Sequence, residues 1–188
     1  MADPRVEKLA QVLVEYSLAL QPVSYTHLTL PLMHELYRQA TRAGALVIPR
    51  ITDQTFEEIV LKEGNEVQYT FVSDLQRQEI EYIDASMTIW SESNTKQLSN
   101  VNPQRLALRR KASGPLTKRF LERFAEGQLR WCGTLFPTEA HAQDANMSLS
   151  EYEDFVYDAG LLYEPDPVAA WQRVHEEQQR ITEFLNGG

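Results

Sequence analysis

The sequence predicts an α/β fold, a layered sandwich with a largely parallel sheet flanked by helices, organised as a single domain over residues 1–188. Three observations lead there. Short runs of β-branched and aromatic residues alternate with longer stretches whose apolar residues recur every three or four positions. Several of the longer stretches open on a capping residue or a proline and close on glycine. The length suits one well-buried core, and there is no internal repeat or low-complexity tract.

From Pro4, which a first helical turn tolerates, Val6, Leu9, Ala10, Leu13, Ser17 and Leu20 recur at helical spacing, and Gln21 and Pro22 end this first helix. Weak alternation over 23–30 reads as a strand. Leu32, Met33, Leu36, Tyr37, Ala40 and Ala43 form the stripe of a second helix, with Gly44 as its left-handed cap. The hydrophobic run 45–51, bounded by that glycine and by Thr52 and Asp53, reads as a buried strand despite Pro49. Phe56, Ile59 and Val60 mark a further helix, and Leu75, Ile80 and Ile83 another. The run 85–90 is the cleanest strand, with Thr88 and Ile89 beside Met87 and Trp90 suited to a mostly buried, pleated position. Beyond Pro103 two helical patterns follow, RLALRR and PLTKRFLERFAEG, the second presenting Leu116, Phe120 and Phe124 on one face and ending at Gly127.

The stretch 127–157 organises the rest. Bulky residues alternate about Cys132 over 129–135, which predicts a short strand with one face buried. Phe136, Pro137 and Thr138 end it, because proline offers no amide hydrogen to a sheet, and a loop runs on to Asn146. Ser148 with Glu151 three residues later has the capping-box spacing, so a helix starts there with Leu149, Tyr152, Phe155 and Val156 on one face. Glu151, Glu153 and Asp154 in its first turns oppose the helix dipole; no neighbouring partner supports a metal or acid–base role for them. Asp166 and Pro167 open the last helix as N-cap and first residue, and Val168, Trp171, Val174, Gln178, Ile181 and Leu185 carry it to Gly187 and Gly188.

Composition excludes several classes. No run is long enough to cross a bilayer, and the charged start MADPRVEKLAQ has no signal-peptide character, so membrane and export readings fall away. One cysteine, Cys132, makes no internal disulfide, which favours a cytoplasmic setting. The net charge of −9 argues against nucleic acid. Within it, residues 105–130 carry eight basic residues against Glu122 and Glu126, a balance of +6. That segment is a solvated surface, an internal partner for acidic helices, or a docking face.

The four histidines, His27, His34, His141 and His175, are scattered and form no HExxH pair. His141 with Gln143 and Asp144 is the most site-like group. Cys132 has only Arg130 nearby to activate it, and reads as a small buried apolar residue. No GxGxxG, GxxxxGK[ST] or GxSxG is present, which removes dinucleotide, phosphate-loop and serine-hydrolase chemistry.

RWCGTLFPTEAHAQDANMSLSEYEDFVY (130–157) resembles the corresponding segment of the metal-dependent aminopeptidases typified by aminopeptidases T and S. YSLALQP (16–22), ELYRQATRAGA (35–45), SNTKQLSNVNPQR (93–105) and DPVAAWQRVHEEQQR (166–180) extend the resemblance to nearly the whole chain. It breaks at VSYTHLTLP (23–31), where the family continues with a glycine-acidic turn, a hydrophobic strand and another glycine. The resemblance implies the amino-terminal domain of a cytoplasmic, homodimeric enzyme that removes amino-terminal residues from peptides. Its two divalent metal ions, of zinc or cobalt type, and its catalytic residues belong to the carboxy-terminal half, so no catalytic or metal residue carries over and the fragment alone is expected to be inactive. Arg130, Phe136, Thr138, His141 and Gln143 are then candidates for contacts on the wall of the substrate chamber. A free-standing binding domain without chemistry is the alternative.

Overall fold

A computed structural model of the chain describes residues 3–18, 23–25 and 29–187, with backbone only for Leu18 and 23–25. The expected first-helix end at Leu20, its stop at Gln21 and Pro22, His27 with its neighbours in the 23–30 strand, and Gly188 lie outside them. Helix α1 (Pro4–Gln11) starts where Asp3 accepts the amide of Arg5, with proline at its first position. It passes directly into a π-helical segment, Val12–Leu18, which periodicity alone did not announce. Strand β1 is Val23–Tyr25, and Leu30 already belongs to α2 (Leu30–Arg42), so the strand expected over 23–30 is shorter. Gly44 has φ +85, the left-handed cap that the sequence called for.

The run 45–51 is corrected most. Only Arg50–Ile51 forms a strand, β2, and Leu46, Ile48 and Ile51 are exposed instead of buried. Pro49 lacks an amide for a ladder, and β2 is the edge of the sheet, where such a residue is tolerated. Helices α3 (Gln54–Glu63), α4 (Glu66–Tyr69) and α5 (Asp74–Tyr82) follow. On α3 the expected face is met only in part: Val60 is half-buried against the smaller core around Leu61, whereas Phe56 and Ile59 are exposed. Strand β3 (Ala85–Trp90) forms as expected. The two helical patterns after Pro103 are one helix, α6 (Pro103–Ala125), continuous through Pro115.

Three arginines of α6 explain that continuity. Arg105 donates to the carbonyls of Leu61 and Lys62 at the end of α3, Arg109 to Phe71 just beyond α4, and Arg123 to Ile80 and Ile83 at the end of α5. Each cation meets the negative end of a different helix, with contacts on both sides of the proline. The basic segment is therefore, in large part, an internal partner, and Arg119 adds an ion pair with Glu81.

Strand β4 (Arg130–Leu135), the short helix α7 (Glu139–Asp144), α8 (Leu149–Ala159) and α9 (Pro167–Asn186) complete the chain. Helix α7 interrupts the expected loop, because Thr138 accepts the amide of His141 and caps it. Ser148 and Glu151 make the expected capping box, and Asp166 caps α9. Phe155 is exposed, and Tyr157 is the buried anchor of α8.

Among the described residues four strands run in the order β2-β1-β3-β4, every pair parallel. On one face, Met87 and Ile89 pack against Leu9, Leu13, Leu32, Leu36, Tyr157 and Leu162 in the main core, and Cys132 packs there too. A smaller core joins Leu61, Tyr69 and Val101 under α6. The buried face of β4 is thus that of Cys132, whereas Trp131 is exposed. Among the described residues, no helix is long and apolar enough to cross a membrane.

Candidate functional site

The loops that leave the carboxyl ends of β3 and β4 meet, which the parallel pairing of those strands requires. The Phe136 amide donates to the Trp90 carbonyl at 2.8 Å, extending the ladder one residue past β4. Pro137 and Thr138 are then buried. Thr138 works in two directions: its Oγ1 donates to the Glu92 carbonyl at 2.8 Å and accepts the His141 amide at 3.3 Å. On the first turn of α7, His141 Nε2 lies 2.7 Å from Glu92 Oε2, both side chains mostly buried, with the Tyr152 ring 6.2 Å away. Facing a carboxylate, Nε2 carries the proton, and Nδ1 is left buried with no hydrogen-bond partner among the described residues.

At the far end of α7, Asp144 accepts from Thr95 Oγ1 at 2.6 Å and from Lys96 Nζ at 3.0 Å. The Thr95 hydroxyl, then the Lys96 ammonium, hold its carboxyl below the usual aspartate range. The segment 91–102 is therefore pinned to α7 at two points. Gln97 ties it also to Glu58 of α3.

Of the five predicted site residues, Thr138 and His141 come together, and Gln143 is exposed on the same short helix. Phe136 stands next to them but turns inward, half-buried against the main core. Arg130 does not join them. It begins β4, its amide bonded to the Asp84 carbonyl, about 16 Å of strand from Leu135. Sequence reasoning missed Glu92, Thr95 and Lys96, although the alternation of strands and helices contained the signal: loops after neighbouring parallel strands must adjoin.

The cluster does not assemble a metal site. Among the described residues no group of three or more histidine, cysteine, aspartate or glutamate side chains is placed to hold a metal ion, and His141 with Glu92 supplies only a pair. Cys132 sits against the core, and burial raises its pKa despite a hydrogen bond with Ser17, the opposite of an activated thiol.

The helix-flanked, all-parallel sheet with its loops gathered at the strand ends defines an α/β layered protein. Residues 2–188 match the model of the thermophilic metalloprotease family (M29), and the chain belongs to that family. The resemblance read from the 130–157 motif is borne out. Among solved structures, wild-type AmpT from Thermus thermophilus is similar with a TM-score of 0.78 at 20% identity, over 98% of this chain and 49% of that one. The chain thus spans about half the length of AmpT, whose fold it shares. No curated protein matches it.

Proposed function

We propose that this chain is the domain of a metallo-aminopeptidase that stands beside the metal centre. It walls one side of the chamber in which amino-terminal residues are removed from peptides, in a cytoplasmic homodimer. The observation that carries this reading is membership of the metalloprotease family over residues 2–188 combined with a span of 49% of AmpT. The remaining half of such an enzyme would hold the two divalent metal ions, of zinc or cobalt type, that activate water and polarise the scissile carbonyl.

Two features support the wall role. The Thr138, His141 and Glu92 contacts make the loops at the carboxyl ends of β3 and β4 rigid, where α/β sheets commonly meet ligands, and they leave Gln143 exposed. Ile181, Phe184 and Leu185 are exposed on α9, apolar surface of the kind that a second subunit or domain covers. Arg130, at the opposite end of β4, would meet a substrate carboxylate only from a separate direction.

Two assays test this. The 188-residue chain, incubated with aminoacyl chromogenic substrates and zinc or cobalt, should show no turnover. In an intact enzyme carrying this domain, His141→Ala and Gln143→Ala should change KM or kcat while bound metal stays the same. Turnover by the chain alone, or unaltered kinetics in both variants, refutes the reading.

A further inference from the structure

Parallel sheets are ordinarily covered on both faces. Here the face of β3 and β4 opposite the main core presents Trp90 and Trp131, 44% and 43% exposed. Their rings lie edge to face, 6.5 Å between centroids at 74°. Gly133 makes this possible: a Cβ there would fall 2.6 Å from Cη2 and 2.7 Å from Cζ3 of Trp90, so the ring of one strand crosses the backbone of the next only because that residue has no side chain. Ser86 and Thr88, alternating with the core residues of β3, put half-buried hydroxyls on the same face.

We propose that Trp90 and Trp131, braced across Gly133, form a platform that takes an aromatic or long aliphatic side chain of a peptide. Resting on the chamber-wall reading, this names what that wall grips. Three things favour a peptide over a protein surface. The chain belongs to a peptidase family. The platform is contiguous with the proposed wall, because the Trp90 carbonyl accepts the Phe136 amide. It also combines two braced aromatic rings with half-buried hydroxyls, which offer a peptide side chain apolar contact and its backbone hydrogen-bond partners.

The test follows the indole N–H signals of the three tryptophans by NMR in the isotope-labelled 188-residue chain. Trp171 is the reference, its Nε1 donating to the Gly160 carbonyl at 2.9 Å away from the platform. A glycyl-phenylalanyl-glycine tripeptide should shift the Trp90 and Trp131 signals and leave Trp171 in place, whereas glycyl-aspartyl-glycine should shift none. Trp131→Ala should weaken the phenylalanyl peptide by about 2- to 10-fold. If that variant fails to fold, Gly133→Ala, which displaces the Trp90 ring, should weaken binding similarly. Equal shifts with both peptides, or none, overturn the platform. If peptide moves the amides of 134–146 but neither indole, the platform fails while the chamber-wall reading stands; if it moves nothing, both fail. Broadening of the two indoles with protein concentration and no peptide would show a protein interface instead and also overturn it.

Discussion

Arg123 Nη1 donates to the carbonyl of Ile83 at 2.8 Å from a side chain that is almost wholly buried, linking the far end of α6 to the C-cap of α5, two residues before β3. The same guanidinium reaches the Ile80 and Gln128 carbonyls, so one cation satisfies three acceptors that enclose the start of the sheet. Buried carbonyls without donors are costly, which makes this residue a hinge pin of the fold.

Replacing it with methionine preserves length and apolar packing and removes every donor. Arg123→Met should lower unfolding stability by roughly 2–4 kcal/mol in urea denaturation. Exposed Arg110 on the same helix is the control, and Arg110→Met should stay within about 0.5 kcal/mol. Equal effects at the two positions would contradict the assignment.

The α8 capping box carries a pH signature. Glu151 accepts from the Ser148 amide at 2.9 Å and from its hydroxyl at 2.7 Å, and these bonds, the amide first, hold its carboxyl below the usual glutamate range. A folded value below the unfolded one gives stability that is complete above the ordinary glutamate value and lost as pH falls through the lower folded value. Glu151→Gln should therefore flatten the acid limb of a Tm–pH curve and leave its slope above pH 6 unchanged. An identical acid limb in wild type and variant would exclude the contribution.

The Glu92 and His141 pair makes a dynamic prediction. Without its carboxylate, His141 keeps a buried ring but loses its one hydrogen bond, and Thr138 alone holds Glu92 by the backbone. Glu92→Ala should speed amide exchange several-fold across 91–102, while Met87 and Ile89 in β3 remain protected. Unchanged exchange in that loop would mean that the Glu92–His141 hydrogen bond does not pin it.

Local rules were legible and tertiary ones were not. Ser148, Glu151, Asp166 and Gly44 declared themselves because capping chemistry is contained within a few residues. The parallel sheet followed from alternation alone. By contrast, Leu46 and Phe56 look like core residues and are exposed, since hydrophobicity does not say whether a partner surface is present. Pro115 reads as a helix break, yet α6 runs through it because arginines on both sides are anchored to neighbouring helices. At the site, Thr138 and His141 stood out by composition, while Glu92 drew no notice, its partner being 49 residues away.

The arginine ladder of α6 also couples its contacts to one another. Arg105 with Leu61, Arg109 with Phe71 and Arg123 with Ile83 span 44, 38 and 40 residues, so the partners advance along the chain in step with the helix. Closing the first span reduces the next from about forty residues to roughly a dozen, which lowers its loop-closure cost by about 1 kcal/mol. Each closed pair thus eases the closing of its neighbour, and the three contacts together gather α3, α4 and α5 onto one helix.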